Sequence, residues 1–311
     1  MILNTGNRTD IPAFYSKWFF KRIEEGFVYT RNPFDRMKIL KYKLDPKVID
    51  CLAFCTKNPH PMIESLEKLD KFKQFWFVTI TPYGKDIEPN VPDKKQIIED
   101  VKKLSEHFGT NAVSVRYDPI LICDSFTVEK HIMAFEHLMK ALNGYITDCV
   151  ISFLDLYEKV KRNAPDLRPP SLEEQHLIAK EFSRIAKENG VLIHGCCEDD
   201  FLKDYGIDVQ GCMTQEIIEK AIGKKLKVPK SKGKRENCNC LLGADIGEYN
   251  SCMHLCRYCY ANYNKELVEK NFKNHIWTSP LLIGEVNEED TITEAKQESW
   301  IIEDLDQVSL F

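Results

Sequence analysis

The sequence predicts an α/β protein, built as a complete or partial (β/α) barrel of the TIM type. Two observations carry this prediction. Short apolar runs rich in β-forming residues alternate with helical segments, and polar residues follow several of those runs directly. A chain of 311 residues that is 43% hydrophobic is long enough to bury the core of such a domain.

The predicted strands are short, apolar and rich in β-forming residues. They lie at residues 26–31, 48–56, 75–81, 112–117, 149–154 and 191–194. They alternate with helical segments, which is the pattern of βαβ units. We therefore expect the strands to pair in parallel.

Helical segments separate many of these strands, and the longest lie at residues 92–108, 127–143 and 171–189. Each ends next to a glycine, the usual residue at a helix C-terminus. Ser171 and Glu174 have the spacing of a capping box. Asp10 followed by Pro12 predicts the start of a further helix, which would run to about residue 26.

Polar residues follow the strands at the ends where barrels and open α/β sheets carry their chemistry. We expect a substrate pocket there, lined by Lys57, Asn58, Tyr83 and Asp155. Arg116 and Asp118 are the candidate catalytic pair, because residues i and i+2 of a strand point to the same side. They could instead pair with each other as a structural salt bridge, and the other residues could simply mark turns.

The cysteines are numerous and unevenly placed. The chain has 12, and eight of them lie after residue 195. The N-terminus lacks a signal-peptide pattern and no apolar run has the length of a membrane span, so we expect a cytoplasmic protein with reduced thiols and no membrane partner. The formal charge of −5 gives no general attraction to nucleic acid. Metal binding is therefore the leading explanation for the cysteines.

One motif stands out among them. Cys252, Cys256 and Cys259 have the spacing C-x3-C-x2-C, which chance would produce only about 0.02 times in a chain of this composition. Structural zinc is the alternative, but zinc sites normally close with four N or S ligands. His254 could be the fourth, although we expect it to face solvent.

Three thiolates on a [4Fe–4S] cubane leave one iron open. Radical S-adenosylmethionine enzymes use that vacancy to bind their cofactor, whose one-electron cleavage gives a 5′-deoxyadenosyl radical that abstracts hydrogen from substrate. Tyr258 stands before the third cysteine, where that superfamily usually has an aromatic residue near the adenine. It could also be a buried tyrosine of a metal loop.

A second metal site is suggested by the remaining cysteines of the last third. We expect four of these cysteines to bind zinc or a second iron–sulfur cluster: Cys197, Cys212, Cys238 and Cys240. Cys196 would be a spare ligand. The alternative is that they are small buried residues.

Several stretches spread over nearly the whole chain resemble a bacterial family catalogued as domain-of-unknown-function family 1848. They include 8–16, 56–59, 81–92, 116–120 and 245–262. The resemblance implies a C-terminal cluster motif like that of radical S-adenosylmethionine proteins, where it is ordinarily N-terminal, and so a circularly permuted barrel. It implies no substrate or reaction, and a clear Gly-Gly-Glu run for the cofactor is missing.

Four regions are expected. Residues 1–223 would form the barrel-like body, 224–237 a basic loop, 238–275 the iron–sulfur segment that completes the barrel, and 276–311 a tail whose acidic end is loosely attached. A flavodoxin- or ferredoxin-like protein would supply electrons. The substrate is open, with nucleic acid among the candidates. The alternative function is a structural metal module, zinc or iron–sulfur, on a nucleic-acid-binding protein without radical chemistry.

Overall fold

The computed structural model describes residues 1–229, 240–241 and 243–302 and contains two sheets. Their strands, in chain order, are β1 (Ile2–Asn4), β2 (Phe27–Arg31), β3 (Lys38–Lys43), β4 (Cys51–Thr56), β5 (Gln74–Thr79), β6 (Val113–Ile120), β7 (Asp148–Phe153), β8 (Leu192–Gly195), β9 (Ala244–Asp245) and β10 (Thr291–Glu294). The main sheet has seven parallel strands in the order β8-β7-β6-β5-β4-β1-β9. The prediction of an α/β protein with parallel strands is confirmed.

Both faces of the main sheet are apolar, because side chains alternate across it. On β4 and β5, Leu52, Phe54 and Trp76 belong to the large core that packs under the helices. The intervening side chains of Ala53 and Phe77 belong to a second core on the opposite face. This continuous burial explains why the strands read as apolar runs without alternation.

Helices cover the sheet. They are α1 (Ile11–Phe14), α2 (Ser16–Glu25), α3 (His60–Ile63), α4 (Lys94–Phe108), α5 (Val128–Ala141), α6 (Glu158–Asn163), α7 (Leu172–Glu188), α8 (Gln215–Ile222) and α9 (Lys265–Lys273). The capping box of Ser171 and Glu174 is present at the start of α7. Asp10 caps α1, but the single helix predicted from there divides at Tyr15 into α1 and α2.

The strand predicted at 26–31 is present as β2, but it lies outside the parallel sheet. It pairs antiparallel with β3, and β10 adds to β3 in parallel. The prediction of a loosely attached C-terminal end is wrong for residues 291–302. Besides β10, the Ser299 hydroxyl and the Trp300 amide donate hydrogen bonds to Asp50, at 2.6 and 2.7 Å.

No closed barrel is seen in the described part of the chain. The edges of the main sheet are β8 and β9, and β9 lies parallel to β1, the first strand in the sequence. The strand that precedes the C-x3-C-x2-C loop is therefore a neighbour of the first strand. The basic loop predicted at 224–237 falls mostly outside the described residues; its first part is tied to residue Trp300 by the Lys227 amide, at 2.7 Å.

Candidate functional site

A cavity of about 480 Å³ opens at the carboxyl ends of the main-sheet strands. Its walls come from the ends of β4 to β8, from the segment after β1, and from the loop that follows β9. In parallel sheets this edge is where loops from successive strands meet. The cavity thus collects residues that are far apart in sequence, as the polar strand exits predict.

The three cysteines of the C-x3-C-x2-C motif all line this cavity. Side-chain amides and backbone groups fix their loop. Asn262 Nδ2 donates to the Cys252 carbonyl at 2.8 Å, and Asn90 Nδ2 donates to the Met253 carbonyl at 2.7 Å. The Cys259 amide donates to the Cys256 carbonyl at 3.1 Å. These contacts hold the loop in place before any metal binds.

His254 does not face solvent, contrary to the expectation from sequence. It is 2% exposed, with Nε2 2.9 Å from Asp10 Oδ2 and Nδ1 3.3 Å from the Asn90 carbonyl oxygen. The same Asp10 carboxylate accepts hydrogen bonds from Thr56 Oγ1 and the Lys57 amide, both at 2.7 Å. Asp10 therefore joins the start of α1, the exit of β4 and the cysteine loop, a role that its position before a helix did not suggest.

Burial keeps the motif cysteines protonated when no cation is bound. It raises the pKa of Cys252 well above the usual value and also raises that of Cys259. It raises the pKa of Cys256 to about 12, although the Lys57 ammonium acts in the opposite direction. A metal centre would have to replace these protons, and its positive charge would stabilise the thiolates.

Tyr258 lines the cavity between the second and third cysteines, and its hydroxyl donates to Glu88. Glu88 is completely buried and also accepts from Thr81 Oγ1 at 2.6 Å, from Lys57 Nζ at 2.8 Å and from Lys94 Nζ. Burial alone would raise the pKa of Glu88, but the two ammonium groups outweigh it and lower the pKa to about 2. The ring of Tyr258 has Lys57 Nζ 5.7 Å from its centroid.

Arg116 and Asp118 both line the cavity and are paired with each other. Arg116 Nε and Nη2 donate to Asp118 Oδ2 at 2.9 and 2.7 Å, and the second oxygen of Asp118 accepts from the Ser152 hydroxyl. The guanidinium lies over Phe77, 5.2 Å from the ring centroid. The pair therefore forms a salt bridge and at the same time presents charge to the cavity.

The four predicted pocket residues divide in two. Lys57 and Asp155 line the cavity, whereas Asn58 and Tyr83 are not among the described residues that do. Asn58 Oδ1 accepts from the His60 amide at 3.3 Å, at the start of α3. The Tyr83 hydroxyl is buried, donating to the Pro119 carbonyl at 2.7 Å and accepting from the Leu121 amide at 3.0 Å.

Glu198 is a cavity residue that the sequence analysis did not select. Its Oε1 accepts from the Phe153 amide at 2.9 Å. Burial raises the pKa of Glu198 to about 8, and the carboxylates of Asp118 and Asp155 act in the same direction. This carboxyl group can thus hold a proton near neutral pH. Only its position after a predicted strand could have indicated it.

The other cysteines of the last third also reach the cavity. Cys196, Cys197, Cys212 and Cys240 line it, whereas Cys238 lies outside the described residues. Sγ of Cys212 is 3.4 Å from Sγ of Cys196 and 3.4 Å from Sγ of Cys240. The structure therefore groups Cys212 and Cys240 with Cys196, the residue treated as a spare in the sequence analysis.

Within the described ranges, no three His, Cys, Asp or Glu side chains are grouped so that they could hold a single metal ion as they stand. The same residues include no helix long and apolar enough to cross a membrane. The fold and the cavity define the class of the protein: an α/β protein with a parallel sheet and two groups of cysteines at the strand ends.

The chain belongs to the family described as domain of unknown function (DUF1848), which it matches over residues 2–261. The match ends two residues after Cys259 and so includes the whole C-x3-C-x2-C motif. No curated protein and no solved structure matches the chain.

Proposed function

We propose that this protein is a radical S-adenosylmethionine-type iron–sulfur enzyme, with a [4Fe–4S] cluster on Cys252, Cys256 and Cys259. The observation that carries the proposal is that one short loop presents three thiols, in the C-x3-C-x2-C spacing, to a strand-end cavity. When bound and reduced, such a cluster delivers an electron to S-adenosylmethionine, whose cleavage yields the 5′-deoxyadenosyl radical that takes hydrogen from substrate.

The donor set fits an iron–sulfur cluster. Thiolates are the ligands that iron–sulfur clusters use, and each thiolate of a cubane binds a different iron, so the three sulfurs need not converge on one point. The cavity volume of about 480 Å³ lies within the usual range of about 300–1,000 Å³ for ligand pockets.

The polar residues of the cavity take separate roles in this proposal. Tyr258, whose hydroxyl is held by Glu88, keeps its ring at the cavity wall for contact with the adenine. Arg116 and Asp118 bind and orient the polar groups of the substrate. Glu198 lines the same cavity and donates a proton to the substrate or accepts one from it, because its raised pKa allows both protonation states near neutral pH.

The strand order supports a partial (β/α) barrel that is circularly permuted. In such a barrel the cluster loop would follow the strand that stands before the first strand of the chain. Here β9 precedes the cysteine loop and pairs in parallel with β1. In this proposal the protein acts in the cytoplasm and receives electrons from a flavodoxin- or ferredoxin-like donor, and the substrate is open.

Anaerobic iron and sulfide analysis tests the proposal. We expect an oxygen-sensitive cluster in the unsubstituted protein, and its loss in each of three variants, because two thiolates do not retain a stable cubane: Cys252→Ala, Cys256→Ala and Cys259→Ala. Cys149→Ala is the matched control, since Cys149 is fully buried in the core away from the cavity and should leave the cluster intact. Zinc in place of iron after anaerobic reconstitution would contradict the proposal and favour a structural metal module.

A further inference from the structure

Three cysteines on the cavity wall form a continuous row of sulfur atoms. Cys212 is in the middle, with its Sγ 3.4 Å from that of Cys196 on one side and 3.4 Å from that of Cys240 on the other. Cys212 and Cys240 are buried and Cys196 is partly buried. They come from three separate parts of the chain, so the fold itself brings them together.

Two backbone amides in this part of the cavity point at one sulfur of the row. The backbone amides of Cys212 and Met213 both donate to Cys240 Sγ, at 3.2 and 3.3 Å. Hydrogen bonds from backbone amides to sulfur are a usual feature around the ligands of metal centres. The partly buried guanidinium of Arg116 lies on the wall of the same cavity.

We propose that Cys196, Cys212 and Cys240 hold a thiophilic metal centre, either zinc or an iron–sulfur cluster, that is distinct from the one on the C-x3-C-x2-C loop. Two thiolates on a tetrahedral zinc at 2.3 Å are about 3.8 Å apart, so the sulfur spacings are already within a few tenths of an ångström of a ligand pair.

The row must bend to surround a metal. As the side chains stand, the described residues include no three ligands converging on one ion. Rotation about the Cα–Cβ bond of Cys196 or Cys240 moves the end sulfurs while the backbone stays in place. Binding would release the thiol protons and replace the sulfur–sulfur contacts with bonds to the metal.

A metal centre on this row would lie between the two edge strands of the main sheet. Cys196 directly follows β8, and Cys240 comes shortly before β9, and these two strands are the edges of the main sheet. A metal bound to both would connect the open sides of the sheet next to the cavity. It would also fix part of the wall of the cavity that the C-x3-C-x2-C loop lines.

The proposal is tested by measuring the metal content of a variant that lacks the three cysteines of the C-x3-C-x2-C motif. In the Cys252/Cys256/Cys259→Ala triple variant, purified anaerobically, we expect at least one equivalent of zinc, or iron with sulfide, per chain. X-ray absorption at the edge of that metal should show a sulfur-dominated shell. Adding Cys212→Ala or Cys240→Ala should lower the metal content at least tenfold, whereas adding Cys123→Ala, outside the cavity lining, should not.

Two results would overturn the proposal. One is a folded triple variant without metal, whether mass spectrometry then finds Cys212 as a free thiol or in a disulfide that reductant opens. The other is metal that persists after Cys212→Ala and Cys240→Ala, or a shell dominated by nitrogen and oxygen. The absorption measurement needs no substitution in the row, so it decides even if those variants unfold. If the cluster on Cys252, Cys256 and Cys259 shows no activity, only the proposed function fails, and the proposal of a second centre is unaffected.

Discussion

Glu88 is the residue at which a single change should disturb the cavity most clearly. Its carboxylate is fully buried and accepts hydrogen bonds from Thr81, Lys57, Lys94 and Tyr258. Glu88→Gln keeps the shape of the side chain and removes its charge. The two ammonium groups, 12% and 27% exposed, would then lack their shared anion.

The size of the effect follows from the pKa of Glu88. Burial raises it, but the two lysines lower it from 4.5 to about 2. At about 1.36 kcal/mol for each factor of ten in proton affinity, this corresponds to about 3 kcal/mol of stability at pH 7. The folded-state pKa is depressed, so this stability is present above pH 4.5 and is lost as the pH falls toward 2; at pH 3 about 1 kcal/mol remains. Removing one partner of a buried ion pair costs a similar amount, about 3–5 kcal/mol.

Urea unfolding of the unsubstituted chain and of Glu88→Gln, in the same metal state, measures this difference. We expect the gap in the free energy of unfolding to be about 3 kcal/mol at pH 7 and about 1 kcal/mol at pH 3. The control is Asp166→Asn, which breaks an exposed ion pair with Arg257 on the cysteine loop and should cost less than about 1 kcal/mol. A gap at pH 7 no larger than that of the control, or one that is independent of pH, would refute the reasoning.

Four further substitutions have defined outcomes. Gly6→Ala should lower the free energy of unfolding by about 3 kcal/mol in urea, because its Cβ would lie 2.2 Å from the Cys55 carbonyl oxygen; an unchanged value would mean that the backbone yields there. Burial lowers the pKa of His194, but the carboxylates of Asp148 and Asp208 outweigh burial and raise it overall. The stability of the folded protein should therefore decline as the pH rises through that pKa. In thermal unfolding scans, a His194→Gln variant should lack this decline. Folded Arg116→Ala and Asp118→Ala variants should keep the visible absorption of the cluster; its loss would assign the pair to structure.

The parallel sheet could be predicted because its strands appear in the sequence as apolar runs that alternate with helices. The shorter elements could not. β1 has three residues and β9 has two, which is too little sequence to show a pattern, although β9 precedes the cysteine loop and pairs with β1. β2 matched a strand pattern, but whether a strand joins the main sheet depends on partners such as β10, which is far away in the chain.

The candidate site likewise has features that the sequence shows and features that depend on the fold. The C-x3-C-x2-C motif is local, so spacing alone identified it, and the strand exits indicated Lys57, Arg116, Asp118 and Asp155 as cavity residues. The partners of a side chain are not local. His254 was expected in solvent, since nothing in its neighbourhood shows that Asp10, 244 positions earlier, would lie against it. The grouping of Cys196 with Cys212 and Cys240 likewise depends on the fold.

The most direct measurement of the central claim is the formation of 5′-deoxyadenosine. The reconstituted protein, reduced under anaerobic conditions and given S-adenosylmethionine without any substrate, should slowly release 5′-deoxyadenosine and methionine, because a cubane on three thiolates leaves one iron open to the cofactor. Cys256→Ala should release neither, and Cys149→Ala should match the unsubstituted protein. A fully loaded cluster whose spectrum is unchanged by S-adenosylmethionine, with no 5′-deoxyadenosine formed, would contradict the account.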